Sequence, residues 1–467
     1  MSLEDQFIAP APWPAAVALL FVMGVMELGF QLARLLCRVR AMKPYEYAAS
    51  YLITLGAICS LTNGLVTIGS LHLLIIVRIL GALVCGAGIV GAIRLIRHVL
   101  RTADRLLMLM YCRTPQLRIV TVLAVVIVGG LLMAALGPAT DPDSLHYHLA
   151  VPMDWLRHCG TYPRSDWLHA RLIGLGEMPN LVGAAMGSDS VGAMVQWAGL
   201  IVAVFAVMAF ARTRGDLVFA ILLVAAVPLV AGYVPTQKPQ MIGDAAMAIA
   251  MVIFADRWES LDRLGMALGF GCVAYAMGCK YSFILTGSIA LSVGLVAAYR
   301  SGRLKLALLI ASIAILVLPG PVWARNLLFY HDPLSPLLER FKSDGQNYVI
   351  VFAAWLRRAG GNPTSGSLLL LPITVTVPLS IHDITVVLGL GTLSVVPAFR
   401  AKNRKCLPLA GVAAALVVAS FSQISPRFFL VPYLWFATAA VGAGPSRFRR
   451  WLSLALIAQG TVVAIAV

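Results

Sequence analysis

Long apolar stretches recur along the whole chain, and they constrain its fold more than any other feature. Each is about 17–25 residues long, the length of a helix that crosses a bilayer, and they extend through all 467 residues. Only 12% of the residues are charged, whereas a soluble domain has roughly a quarter. A β-barrel would instead show short segments of alternating hydrophobicity. The sequence therefore predicts an all-α polytopic membrane protein without a soluble domain of ordinary size.

Hydropathy and charge bias together predict about fourteen transmembrane helices. They divide into an N-terminal three-helix extension over 1–117, a transmembrane core over 118–444 and a C-terminal helix over 445–467. The predicted spans are 14–37, 45–66, 70–93, 119–138, 190–211, 217–234, 241–255, 264–279, 281–299, 306–324, 383–399, 406–421, 429–444 and 451–467.

The net charge of +16 is explained by topology. Lys and Arg cluster in every second short loop between the predicted spans, which is the positive-inside pattern. The excess charge then attracts anionic lipid, and nucleic acid is not expected as a partner. The acidic N-terminus is predicted to lie outside and does not resemble a cleaved signal peptide. The eight cysteines are scattered and form neither a disulfide framework nor a metal knuckle.

This topology places two long segments, 139–189 and 325–382, on the outer side. Four of the eight histidines fall in the first of them: His146, His148, His158 and His169. Helical spacing of apolar residues predicts short interfacial helices near 145–156 and 349–356. These helices would frame a cavity that is open to the outside.

A polar island follows directly on the predicted span 119–138. It begins with Asp141 and Asp143 and continues through His146, Tyr147 and His148. Carboxylates close to the hydrocarbon are costly, so they indicate function. One of the two Asp residues is also a good helix N-cap. A metal site is not favoured, because His-x-His lacks a third spaced ligand.

Further polar residues interrupt the apolar pattern near other predicted outer turns. Asp244 is interpreted either as a helix-start residue favoured by the dipole or as a second site carboxylate near Lys238. Lys280, Arg325 and Arg427 are basic residues on the side where basic residues are scarce, which favours an anionic ligand over topology, although Lys280 could also snorkel to the interface. Within the N-terminal spans, Glu27 and Arg78 are interpreted as a buried structural pair.

Taken in order, these segments resemble the GT-C superfamily of membrane glycosyltransferases, in particular a bacterial branch related to protein mannosyltransferases and aminoarabinose transferases. The resemblance covers roughly residues 118–440. The matching segments are Asp143-Ser-Leu-His-Tyr147-His148-Leu, Lys238 through Asp244, Gly278-Cys-Lys280-Tyr281, Trp323-Ala-Arg325-Asn326 followed by His331-Asp-Pro333-Leu-Ser-Pro336, and Arg427-Phe-Phe-Leu-Val-Pro432.

The resemblance implies a lipid-phosphate-sugar donor and an acidic base in the first outer loop, a role that Asp143 matches best, with Asp141 as its neighbour. Lys280, Arg325 and Arg427 would bind the donor phosphate, and His146, Tyr147, His148, Lys238 and Asp244 would position donor or acceptor. The chain departs from the pattern in its three preceding spans, in the Pro-Gln-Met-Ile-Gly between Lys238 and Asp244, and in lacking a large C-terminal outer domain.

The expected function is glycosyl transfer from a polyprenyl-phosphate sugar to a lipid, glycan or protein acceptor. The expected location is the bacterial inner membrane, with the site facing the periplasm and membrane lipids around it. The alternatives are a lipid or glycan transporter, a lipid-linked oligosaccharide ligase or polymerase, and a non-catalytic scaffold. A transporter would more often place its polar residues at mid-membrane on broken helices.

Overall fold

A computed structural model describes residues 7–110, 115–164, 166–338, 351, 365–378, 387–401, 404–421 and 425–466. Every regular element in these ranges is helical. The α-helices are α1 (Trp13–Cys37), α2 (Pro44–Ile68), α3 (Leu73–Met110), α4 (Pro115–Leu136), α5 (Ala150–Arg157), α6 (Met178–Ala185), α7 (Val191–Met208), α8 (Arg214–Ala225), α9 (Pro228–Tyr233), α10 (Met241–Asp256), α11 (Arg263–Cys279), α12 (Ser282–Arg300), α13 (Leu304–Val317), α14 (Gly320–Tyr330), α15 (Ser365–Thr374), α16 (Cys406–Phe421), α17 (Leu430–Gly442) and α18 (Arg447–Ala466), with a short helical segment at Gly389–Ala398.

Seven helices in the described ranges are long and apolar enough to cross a membrane, or up to eight if the bent pair α13–α14 counts as one span. The seven lie in α1, α2, α3, α4, α7, α12 and α18. The prediction of a polytopic all-helical membrane protein is confirmed, but its count of fourteen spans is not supported. Several predicted spans correspond to shorter helices, such as α16, which has only 16 residues.

Helices α10 and α11 form the centre of the bundle. Met241 through Ala255 of α10 are all buried, and α10 packs against α2, α7, α11, α12 and α17. In contrast, α3 and α4 expose large apolar side chains, including Leu83 and Val125. An apolar residue on an outer helix face is compatible with lipid, so this distribution fits a bundle whose periphery faces the bilayer.

Prolines and short breaks move several helix limits away from the predicted ones. The predicted span 217–234 is divided into α8 and α9, because Pro228 begins a new helix. Helices α13 and α14 are bent by 54° across a break that contains Pro319. Arg325 lies inside α14 instead of at the start of an outer loop, so the predicted boundary at 325 was wrong.

The first of the two long segments predicted to lie outside, 139–189, is folded. It contains a π-helical turn at Ser144–Leu149, then α5, two 3₁₀ turns at Leu168–Arg171 and Leu175–Glu177, and α6. The helix predicted near 145–156 is therefore present, and its residues Val151, Trp155 and Leu156 pack into the protein core. The second predicted interfacial helix, at 349–356, lies almost entirely outside the described residues.

Glu27 and Arg78 of the N-terminal helices both have partners, but not each other, and only Glu27 is buried. Glu27 pairs with Arg94, whereas the Nε of Arg78 donates to the Ala185 carbonyl at 2.8 Å. The predicted Glu27–Arg78 pair was therefore wrong, because each residue finds a nearer partner.

An ionic cluster ties α2 to the C-terminal end of α10 and the N-terminal end of α11. The buried Glu46 carboxylate accepts from Arg40 at 2.6 Å and from Arg257 at 2.9 Å. Arg40 also reaches Asp262 at 2.5 Å. These contacts join the N-terminal helices to the core.

Candidate functional site

The ends of several helices meet at one face of the bundle, and their polar residues form a single charged cluster. The cluster combines the segment after α4, the turn between α9 and α10, the junction of α11 and α12, and the turns that precede α6 and α17. Residues far apart in sequence are therefore brought together, and the sequence-predicted residues are found in this cluster or directly beside it.

Asp141 and Asp143 share one cation. The Nζ of Lys238 lies 3.1 Å from Asp141 Oδ1 and 3.1 Å from Asp143 Oδ2. Asp141 Oδ2 also accepts from the backbone N and the Oγ of Ser144, at 2.8 and 2.9 Å. Partial burial alone would raise the pKa of Asp143, but the hydrogen bond and charge of Lys238 outweigh it and hold that pKa below its usual range. Both carboxylates are thus bound to Lys238, but only Asp141 also caps the turn.

Asp143 is the more accessible of the two carboxylates. Its side chain is 55% exposed, against 27% for Asp141. Asp141 is held by three hydrogen bonds to Ser144 and Lys238. Asp143 is consequently the carboxylate that a ligand can reach with the least rearrangement.

His148 and Glu177 form a buried pair beside these carboxylates. His148 Nδ1 lies 3.0 Å from Glu177 Oε1, and the other Glu177 oxygen accepts from the Gly174 backbone N at 2.8 Å. Because a carboxylate only accepts, Nδ1 carries the proton. The Nε2 atom is buried and has no hydrogen-bond partner within the described chain. Burial lowers the pKa of His148 despite Glu177, so a neutral imidazole presents a lone pair at Nε2.

Lys280 is connected to Asp244 through a glutamine. Its Nζ donates to Gln240 Oε1 at 3.5 Å, and Gln240 Nε2 lies 3.3 and 3.2 Å from the two Asp244 oxygens. Asp244 is fully buried in the first turn of α10. Burial, followed by the nearby charge of Arg427, lowers the pKa of Lys280 to about 8. Asp244 therefore holds the Gln240 amide that contacts Lys280.

Two glycines let the Glu177 turn fit between the Lys238 and Lys280 segments. A Cβ at Gly174 would lie 2.4 Å from the Gly278 carbonyl oxygen, and a Cβ at Gly176 would lie 2.1 Å from Pro239 Cβ. Any larger residue would push the turn away. The close approach brings Glu177 to His148.

Arg427 and Arg325 occupy different positions relative to this cluster. The charge of Arg427 lowers the pKa of Asp143 and of Lys280, so Arg427 lies in the same electrostatic environment. Arg325 is buried in α14, and each of its three guanidinium nitrogens donates within the protein, to Asn63, Ile173 and Asn326. The Asn326 side chain in turn donates to the Tyr281 hydroxyl.

Aromatic rings lie along one side of the carboxylates. The Tyr147 ring lies 3.9 Å from the His148 ring and stacks on His169 at 4.7 Å. His146 meets His169 edge-on at 5.1 Å. Among the residues that the structure describes, no group of three or more His, Cys, Asp or Glu is arranged to hold a metal ion.

Sequence analysis did not assign a role to Glu177, Gln240, Gln237 or Asn180. Asn180 donates to the backbone carbonyls of His148 and Gln237, at 2.9 and 3.2 Å. Gln237 accepts from the Ala193 backbone at 2.9 Å. All four side chains are buried and polar. Glu177 and Asn180 have apolar neighbours in the sequence, which is a weak signal, whereas Gln237 and Gln240 lie in a polar turn and give none.

The fold and this site define a class: a polytopic helical membrane protein that collects carboxylates, cations and a buried histidine at the ends of its helices. A family model described as the DUF1420 N-terminal domain matches residues 106–462, and the chain belongs to this family. Helices α1 and α2 and most of α3 precede the matched region. No curated protein matches the chain, and no solved structure matches it.

Proposed function

We propose that the protein is a membrane glycosyltransferase that moves a sugar from a polyprenyl-phosphate donor to a lipid, glycan or protein acceptor. One observation carries the proposal: two carboxylates bound by Lys238 lie in one cluster with Lys280, Arg427 and the oriented His148. Carboxylates beside cations suit a reaction that takes a proton from one partner and leaves negative charge on the other.

Asp143 is the proposed general base. It would accept the proton of the acceptor hydroxyl or amine as the acceptor attacks the anomeric carbon. Its greater exposure and smaller number of hydrogen bonds distinguish it from Asp141, which is engaged in capping. Asp141 would keep Lys238 in position.

Lys280 and Arg427 are the proposed phosphate-binding residues. Negative charge grows on the phosphate as its bond to the sugar breaks, and fixed cations stabilise that charge more in the transition state than in the ground state. Within the described part of the chain, the one side-chain hydrogen bond of Lys280 is the long contact with Gln240, so Lys280 can turn to an anion. Arg325 would act indirectly, by holding Asn326 and Tyr281 next to Lys280.

His148 is the proposed positioning residue for the acceptor. The Glu177 contact fixes the ring, and the buried Nε2 lone pair lacks a partner in the described chain. A substrate hydroxyl that donates to Nε2 would satisfy it. The Tyr147 ring, tilted against His148 at 3.9 Å between ring centroids, limits how the imidazole can turn.

The decisive test of the donor class is binding of polyprenyl phosphate against neutral polyprenol by purified protein in nanodiscs. Wild type is expected to prefer the phosphate, and Lys280→Ala is expected to lose most of that preference. Lys305→Ala is the matched control, because Lys305 is an exposed lysine in the first turn of α13. The proposal is contradicted if wild type shows no preference, or if both variants behave alike.

A further inference from the structure

An apolar groove lies on the outside of the helix bundle, away from the carboxylates. Helices α4, α7 and α8 enclose a groove of about 620 Å³. Its lining is almost entirely apolar and includes Val125, Leu132 and Trp197. Arg214 is the one charged residue in this lining. We propose that the groove binds an acyl chain of an anionic phospholipid whose phosphate is held by Arg214.

The open shape of the groove comes from its residues. A Cβ added at Gly129 would meet no atom within 4 Å, so the groove has free space above this glycine. Trp197 donates its indole N–H to the Val128 carbonyl at 3.0 Å. With its polar atom satisfied, the indole presents an apolar ring to the groove. A flexible hydrocarbon chain fits such a surface better than a polar ligand.

The length of the groove is close to the thickness of the hydrocarbon region of one leaflet. Its lining residues on α4 run from Val120 to Leu132, which is about 18 Å at a rise of 1.5 Å per residue. Half of a hydrocarbon core is about 15 Å thick. A chain that follows the groove would therefore belong to a lipid of the leaflet at which Arg214 lies.

The positive charge of Arg214 indicates that the lipid headgroup is anionic. Arg214 is exposed at the start of α8 and makes no hydrogen bond or ion pair within the described part of the chain. Basic loops flank this end of α4 and α8, which the positive-inside rule places at the cytoplasmic leaflet, where anionic lipids concentrate. Asp141 follows the opposite end of α4, so this site is separate from the carboxylate cluster and does not depend on the proposed function.

The test is native mass spectrometry of the full-length protein titrated with phosphatidylglycerol or phosphatidylcholine. Wild type is expected to retain phosphatidylglycerol preferentially, and Arg214→Ala should reduce that preference about fivefold, the effect of one basic residue near an anionic headgroup. Arg212→Ala is the matched control: it removes the same charge two residues away, and Arg212 is not among the residues that line the groove.

Gly129→Leu tests the chain-binding part, because its side chain would occupy the groove. It should weaken retention of both lipids, and Val125→Trp, at a position that is 62% exposed, should do the same if the first variant folds poorly. Equal effects of Arg214→Ala and Arg212→Ala would overturn the proposal. So would normal lipid retention by a folded groove-filling variant.

Discussion

At the scale of single residues, the site is defined by the pairing between its cations and its carboxylates. Lys238 contacts both Asp141 and Asp143 at 3.1 Å, and Lys280 reaches the buried Asp244 only through Gln240. Buried or half-buried charges are stable only when they are paired. A phosphate that enters the cluster would give Lys280 a direct anionic partner, which the residues described by the structure do not supply.

The lowered pKa of Lys280, about 8, makes a pH-dependent prediction. Lys280 is a cation below that pH and neutral above it, so polyprenyl phosphate binding should weaken as pH rises from 7 to 9.5. Loss of one charge-assisted contact should cost about tenfold in affinity. The second ionisation of a phosphate monoester has a pKa of about 6, so the ligand does not change charge in this range.

Lys280→Arg provides the control for that titration. A guanidinium stays charged throughout the range, so the variant should bind polyprenyl phosphate with little dependence on pH. A wild-type affinity that does not change between pH 7 and 9.5 would be evidence against a contact between Lys280 and the phosphate.

The residues of the site differ in how well they could be predicted. Asp141, Asp143 and Lys238 stood out because charges at the ends of apolar runs are rare. Glu177 did not, because one acidic residue in a long outer loop is ordinary. Its role depends on a turn that approaches closely through Gly174 and Gly176, and such proximity is not encoded in local spacing.

At the scale of elements, close approach of helix backbones holds the N-terminal helices together. A Cβ at Gly88 would lie 2.0 Å from the Leu20 carbonyl oxygen of α1, whereas a Cβ at Gly86, half a turn away on α3, would meet nothing within 4 Å. Small residues at such contacts allow helices to pack closely in a membrane.

Gly88→Ala should therefore destabilise the protein, and Gly86→Ala should not. The clash at Gly88 should cost about 1–3 kcal/mol, as overpacking typically does. Replacing a helical glycine with alanine in open space is expected to be neutral or stabilising by up to about 1 kcal/mol. Thermal unfolding in one detergent would compare the pair. Equal melting temperatures would show that the α1–α3 contact is less close than described.

The limits of the helices were less predictable than their existence. Hydropathy predicted the limits of α1, α2, α7 and α12 closely, because a long apolar run without a break allows only one placement of the helix. It did not identify the break at Pro228 or the 54° bend at α13–α14, since a helix can tolerate a proline by bending. The position of Arg325 within α14 follows from that bend.

At the scale of the whole molecule, orientation in the membrane links the two proposed sites. Basic loops and acidic outer segments predict that the carboxylate cluster faces outward and Arg214 inward. The carboxylate cluster and Arg214 lie at opposite ends of α4, so we expect them to face opposite sides of the membrane.

Single cysteines in a background without native cysteines test this orientation. Asp166→Cys, at an exposed position of the first outer segment, should react with an impermeant thiol reagent in intact cells. Lys305→Cys, at an exposed position in the first turn of α13, should react only after the membrane is opened. The reverse pattern would contradict both the topology and the leaflet assigned to Arg214.

Glycosyl transfer with Asp143 as the general base is tested most directly by release of polyprenyl phosphate from a panel of polyprenyl-phosphate hexoses and pentoses. The release is measured for wild type, Asp143→Asn and Asp141→Asn. At least one donor should be turned over by wild type. Asp143→Asn should lower turnover by about 10²–10⁴-fold, the usual contribution of a general base, and leave donor binding nearly unchanged. Asp141→Asn should have the smaller effect. Near-normal turnover by both variants would contradict the role of these carboxylates in glycosyl transfer.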